Sequence, residues 1–283
     1  MDAEAADRSA LHACANVYDL LQQAAERFGD DDAVLFLTGA EPGAEVIRHS
    51  HRDMFEQAVR TANLLSHLGI GSDEVVTLLM PNLPQTLWYM WGSQIAAVAN
   101  PINHLLEPVQ IIAIMREARA RAVIVPDATA FPDIDRKLQE IRNQIPGLIV
   151  IRLGGSGAAD EIDYQDALAQ QASTALRSPR RIDPTALAAL FHTGGTTGAP
   201  KLARHHHGAL AVVARTNIGV LSREREVALS PLPFFHVGGA LLGALAPIAN
   251  GWTIVIPTAV GARHPRVVAN YMEIGRASCR ERV

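Results

Sequence analysis

The chain has 283 residues, of which 48% are hydrophobic and 19% charged, a composition that can bury a sizeable core in one large domain or two small ones. A formal net charge of -4 provides no basic field to attract nucleic acid or an anionic membrane, so neither is expected as a partner. The two cysteines, Cys14 and Cys279, stand in no metal-ligand spacing; they suit a reducing, cytoplasmic setting and provide neither a disulfide framework nor a zinc site.

The N-terminus, Met1-Asp2-Ala3-Glu4, is acidic where a signal peptide is basic and then apolar. Ser50-His51-Arg52-Asp53 reads as a capping box, with Phe55, Ala58, Val59 and Ala62 on one helical face behind it and Gly69 as the C-cap. Residues 75–80 form an apolar run stopped by Pro81, the pattern of a strand buried on both faces. Further strands are expected at 122–125, 148–153, 187–191, 227–229 and 253–256. Helices are expected at 84–97, 108–118, 133–144 and 239–249, with another starting near His207. The small residues of 154–159 make a surface loop. Helices alternating with buried strands predict a layered α/β fold with mainly parallel sheets.

Between Val227 and Ala262 there is no Asp, Glu, Lys or Arg, a stretch long enough to span a bilayer. Pro231, Pro233, Gly238, Gly239, Pro247, Gly251 and Pro257 cut it into pieces, which suits a buried strand–helix–strand unit better than a spanning helix, so no transmembrane segment is expected. After this the chain turns abruptly basic and polar. Residues 274–283 can be back-translated as ATC GGA AGA GCG TCG TGT AGG GAA AGA GTG, which reads as a common sequencing-library adapter, and Glu273 fits a codon straddling the junction. Residues 273–283 are therefore set apart from the fold as a non-native tail.

The chemistry concentrates after the strand at 187–191, which runs into Thr193-Gly194-Gly195-Thr196-Thr197-Gly198-Ala199-Pro200-Lys201. Three glycines let the backbone turn tightly and bring several N–H groups to one point. The two threonines, Thr196 and Thr197, add short hydroxyl donors, and Lys201 adds a full positive charge suited to a polyphosphate. A mobile Gly/Thr surface loop accounts for the glycines, but not for the threonine pair and Pro-Lys directly after a buried strand. Walker A needs Gly-Lys followed by Ser or Thr, and the dinucleotide Gly-x-Gly-x-x-Gly spacing is absent.

This loop resembles the phosphate-binding signature of the adenylate-forming superfamily, which includes acyl- and aryl-CoA synthetases, luciferases and the adenylation domains of peptide synthetases. Gly194 stands where that signature usually has serine, and Leu202 where it usually has glycine. His207 falls where the family often has a histidine at the start of the next helix. Pro231-Leu232-Pro233-Phe234-Phe235-His236-Val237-Gly238-Gly239 is similar to the family's next motif, which implies an acyl pocket bordered by Phe235, His236, Gly238 and Gly239. The other reading of His236 is a core histidine beside two core phenylalanines. Val17-Tyr18-Asp19-Leu20-Leu21, the capped helix at Ser50, Met80-Pro81-Asn82 and Asn100-Pro101-Ile102-Asn103 also resemble the opening of acyl-CoA synthetases. His205-His206-His207 can bind metal adventitiously, but consecutive residues at a helix start point in different directions and make no built site.

The resemblance implies an incomplete AMP-binding domain over residues 1–272. It implies activation of a carboxylic acid, fatty or otherwise apolar, with ATP, Mg2+ and coenzyme A as cosubstrates and Lys201 as the catalytic group of this part. An adenine-binding segment, a Thr-Glu pair, a ribose-binding Asp and a C-terminal domain with a catalytic lysine are not found before Met272, so this piece is expected to be inactive alone. An amino-acid adenylation domain and a non-catalytic nucleotide-binding module remain as alternatives.

Overall fold

Asn16 opens the first helix, and its side chain accepts the Asp19 N–H at 2.9 Å, satisfying one of the amides a helix start leaves without a partner. In the computed structural model, residues 15–39, 44–154, 158–177, 182–193, 201–221 and 225–259 are described. Helix α1 (Val17–Phe28) buries Val17, Leu20, Leu21, Ala24 and Ala25 at helical spacing. Strands β1 (Asp32–Leu37) and β2 (Val46–Ser50) follow, and then α2 (His51–His67). Helix α2 starts on a reciprocal capping box: the Asp53 N–H donates to Ser50 Oγ at 3.0 Å and the Ser50 N–H to the Asp53 carboxylate at 2.9 Å. Gly69 turns the chain away from it with φ +73°, a conformation that a side chain disfavours.

The chain then alternates strand and helix as far as the strand Ile149–Arg152. In order come β3 (Val75–Leu78), α3 (Pro84–Ala96), β4 (Val98–Pro101), α4 (Pro108–Ala118), β5 (Ala120–Val125), α5 (Pro132–Gln144), β6 (Ile149–Arg152) and β7 (Ile162–Asp163). After α6 (Tyr164–Ala169) come β8 (Leu187–His192), β9 (Leu202–His206) and α7 (His207–Leu221). Last are β10 (Val227–Leu229), a π-helix (Gly238–Leu245), α8 (Ala246–Ala249) and β11 (Thr253–Ile256).

Two compact units divide the chain: residues 1–55, 82–87 and 208–283 form the first, and 56–81 and 88–207 the second. The first holds a four-stranded sheet in the order β10-β11-β1-β2, with β1–β11 and β10–β11 parallel and β1–β2 antiparallel. Leu35, Leu37 and Val255 form part of its core. The second holds a seven-stranded sheet in the order β7-β6-β5-β3-β4-β8-β9, in which only β8–β9 is antiparallel.

In this larger sheet every residue of β3 and β4 is buried, as expected of central parallel strands covered on both faces. Ile111, Ile114 and Met115 of α4 and Ile134, Leu138 and Ile141 of α5 pack with Val123, Val125 and Val150. Each such side chain contributes about 1.5–3 kcal/mol on full burial. Helices α2 and α3 approach closely because position 92 is glycine: a Cβ there would lie 2.4 Å from the Thr61 Cβ.

The layered, mainly parallel α/β fold is as expected, and β10 and β11 coincide with their predicted spans. β1, β2, β4, β7 and β9 were not anticipated. The short β4 contains Asn and Pro, and the edge strand β9 reads Leu-Ala-Arg-His-His; neither displays an apolar run or clean alternation. The expected helix at 239–249 divides into the π-helix and α8. No helix among the described residues is long and apolar enough to cross a membrane. The tail from residue 273 lies outside the described residues.

Candidate functional site

Gly194, Gly195, Thr196, Thr197 and Gly198 lie outside the described residues, but both stems of their loop are described. β8 and β9 pair antiparallel, with His192 opposite Leu202. Beyond that pair, the Lys201 carbonyl accepts the Thr193 N–H at 3.0 Å and the Thr193 hydroxyl at 3.4 Å. The described stems are therefore joined by an antiparallel ladder that ends in backbone pairing between the first and last residues of the motif. Thr193 and Lys201 are both exposed. The helix expected near His207 starts at that residue.

A chain of buried amides fixes β8. The Thr77 hydroxyl donates to Asn100 Oδ1 at 3.2 Å, and Asn100 Nδ2 donates to the Leu190 carbonyl at 2.8 Å. Thr77 and Asn100 are both fully buried, so these bonds satisfy groups that would be costly to leave alone. At the end of β8, the His192 ring accepts the Asn103 N–H through Nε2 at 3.1 Å. Asn100, Asn103 and His192 thus tie the strand that leads into Thr193 to β4 and the turn after it. His192 escaped the sequence reading because its partner is 89 residues away.

In the first unit, the second motif forms a turn between β10 and the π-helix. Phe234 and Phe235 are buried, while His236 is exposed and its ring lies 4.8 Å from that of Phe235. His236 is therefore not a core histidine, although its phenylalanine neighbours are core residues. Its backbone N–H donates to the Pro233 carbonyl at 3.1 Å, and its carbonyl accepts the Ala240 N–H at 2.9 Å. The two glycines differ. A Cβ at Gly239 would fall 2.2 Å from the Pro233 carbonyl oxygen, whereas at Gly238 it would meet nothing nearer than Leu232 Cδ1 at 3.8 Å. Close backbone approach alone accounts for Gly239.

One buried amide holds this turn. Asn82 Nδ2 donates to the Leu232 carbonyl at 3.0 Å, and Asn82 Oδ1 accepts the Phe234 N–H at 3.1 Å. Its backbone N–H donates to the Ala259 carbonyl at 3.2 Å.

His205 and His206 lie in β9 and His207 begins α7. It is thus strand alternation, as much as the helix start, that separates the triplet. His205 stacks edge-on against Phe191 at 5.4 Å, and burial, then the neighbouring His206, lowers its pKa below the usual value. His206 Nδ1 donates to the Thr185 carbonyl at 2.7 Å, which fixes that tautomer. His207 is buried. No group of three or more His, Cys, Asp or Glu fit to hold a metal occurs among the described residues. A pocket of about 320 Å³ in the second unit is lined by Asn63, Ser66, Ile70, Ile95, Leu176 and their neighbours, and none of the predicted site residues borders it.

Residues 21–279 match the AMP-binding enzyme family, and the chain belongs to that family. It is 29% identical over 268 residues to the marinolic acid–CoA ligase of a Pseudoalteromonas species, a match covering 92% of this chain and 41% of that protein. It is 31% identical over 219 residues to a long-chain-fatty-acid–CoA ligase of Mycobacterium tuberculosis, covering 76% of this chain and 41% of that protein. Among solved structures, the anthranilate CoA ligase AuaEII in complex with anthranoyl-AMP superposes with a TM-score of 0.78 at 23% identity, covering 91% of this chain and 48% of that one. The chain thus spans less than half the length of each of these relatives.

Proposed function

We propose that the protein containing this chain activates a carboxylic acid, fatty or otherwise apolar, with ATP and transfers it to coenzyme A. Membership of the AMP-binding enzyme family carries the proposal, and the CoA ligases among the relatives support it over amino-acid adenylation. In the first half-reaction an oxygen of the acid attacks the α-phosphorus of ATP. The bond to the bridging oxygen breaks, pyrophosphate leaves, and an acyl-adenylate remains. In the second, the coenzyme A thiol attacks the acyl carbon and AMP departs.

The residues of this chain bind and orient. Thr193, Gly194, Gly195, Thr196, Thr197, Gly198 and Lys201 cradle the β- and γ-phosphates, with Lys201 countering the charge that develops on the leaving pyrophosphate. Both stem residues, Thr193 and Lys201, are exposed, which supports their meeting such a ligand. Mg2+ would accompany the nucleotide and offset part of its phosphate charge. Phe235, His236, Gly238 and Gly239 border the acyl pocket, and the apolar surroundings of His236 suit an apolar acid. Two widely separated cysteines suit a cytoplasmic setting.

Residues 1–272 are proposed to be an incomplete AMP-binding domain and 273–283 an adapter-derived tail. The agreement of residues 274–283 with the adapter supports this division, although the family match runs to residue 279. Sequencing the source DNA across codon 273 tests it, and codons continuous with the genome overturn it.

The functional test separates the two half-reactions. In the full-length enzyme, Lys201→Ala is expected to slow acyl-adenylate formation by roughly two orders of magnitude. Transfer from a preformed acyl-adenylate to coenzyme A should change far less, because pyrophosphate has already gone. Equal losses in both, or a loss confined to thioester formation, would show that the hairpin does not hold the leaving group.

A further inference from the structure

The turn from Pro231 to Gly239 places two buried rings and one exposed histidine in succession, yet between β10 and the π-helix it has no strand ladder to hold it. What bridges Leu232 and Phe234, on either side of Pro233, is the side chain of Asn82. Its amide donates to the carbonyl of the first and accepts from the N–H of the second, offering the donor and acceptor that a neighbouring strand would. Asn82 is itself buried, and its backbone is held by the Ala259 carbonyl. Within the turn, the His236 N–H returns to the Pro233 carbonyl, and Gly239 packs on that same oxygen. Pro233 is thus the point from which His236 takes its position, and Asn82 fixes both of its flanks.

We propose that Asn82 is a positioning residue for acid selection: it sets the placement of the Phe235–His236 surface against which the acid lies. The inference rests on the reading of this turn as the border of the acyl pocket. Only an amide of this length supplies both contacts. Alanine supplies neither, while aspartate retains the acceptor for the Phe234 N–H and lacks the amide donor to the Leu232 carbonyl.

The test is steady-state kinetics of the full-length enzyme with a series of acids of graded chain length, comparing Asn82→Ala, Asn82→Asp and His236→Ala with the parent. Loss of these two hydrogen bonds, one of them buried, should raise KM for the preferred acid about tenfold in Asn82→Ala and flatten selectivity across the series. KM for ATP should stay within about twofold, and Asn82→Asp should fall between the parent and Asn82→Ala. Thermal unfolding of each variant separates misplacement from instability. If His236→Ala shifts selectivity while the Asn82 variants lose stability and overall rate with selectivity intact, Asn82 is structural and the inference fails alone. If neither His236→Ala nor the Asn82 variants shift selectivity, the acyl-pocket reading fails, and the inference with it.

Discussion

In the second unit, Thr193 and Lys201 stand at the end of a ladder of backbone hydrogen bonds, and the strand beneath them is tied down again through Asn100 and His192. In the first, the turn at Pro233 has no ladder; the Asn82 amide, the return of the His236 N–H to the Pro233 carbonyl and the close backbone contact at Gly239 help to hold it. A ladder distributes restraint over many peptide groups, so a single substitution in the strand pair leaves most of it in place. A turn held by a few separate contacts concentrates its restraint. The contrast suits the proposed tasks: the phosphates of ATP are the same for every substrate, whereas the acid is what relatives vary.

Three measurements press on this contrast. The largest effect is expected at Asn100, which ties the strand beneath Thr193 to β4 from a fully buried position. Asn100→Ala removes the donor to the Leu190 carbonyl and the acceptor for Thr77 in a fully buried position. It should cost about 2–3 kcal/mol of stability, read as a lower denaturant midpoint of the full-length protein. A loss of only a few tenths would mean that the ladder suffices without it.

Next is Gly239, where an added methyl meets the Pro233 carbonyl. Gly239→Ala should cost about 2 kcal/mol through backbone displacement, while Gly238→Ala, where the methyl meets only an ordinary contact with Leu232 Cδ1, should cost less than about 0.5 kcal/mol. Equal costs would show that the turn yields more readily than its few restraints suggest.

The effect that is smallest at neutral pH, and appears only in acid, concerns His51. This ring is buried against Phe28 at 5.3 Å, and neither nitrogen has a hydrogen-bond partner among the described residues; the His192 ring of the second unit, by comparison, accepts a hydrogen bond. Burial, with Arg225 nearby, lowers its pKa from 6.5 to about 4. Between those values the unfolded chain binds a proton that the folded chain does not, so stability should fall as pH drops from 6.5 toward 4. Denaturant titrations across that range should show a shallower dependence in His51→Phe than in the parent. An unchanged slope would mean that other groups govern acid sensitivity.

How much of this was written in the sequence follows the distance over which each feature is decided. The Ser50–Asp53 capping box, the buried runs of β3 and β5, and the position of the glycine-rich loop between β8 and a later helix are local patterns, and they were legible. β9 was not, because Leu-Ala-Arg-His-His becomes a strand only through its pairing with β8. β4 is likewise dictated by its parallel neighbours rather than by Val-Ala-Asn-Pro itself. At the candidate site, the motif residues were proposed from the resemblance of two segments to motifs of a known family. Asn82, Asn100 and His192 could not be assigned their contacts, because each acts on a segment that is distant in sequence.

The unlike surroundings of Gly238 and Gly239 also bear on how such an enzyme can change its diet. On the acyl-pocket reading, a lineage adapting to a smaller acid must grow a side chain into the pocket without wrecking the turn. Position 239 is closed to that route, since the first carbon added already collides with the chain. Position 238 is open, so variation in acid size is expected to accumulate there. A saturation library at codon 238, sorted on short-chain acids, is the natural first step for redirecting the enzyme.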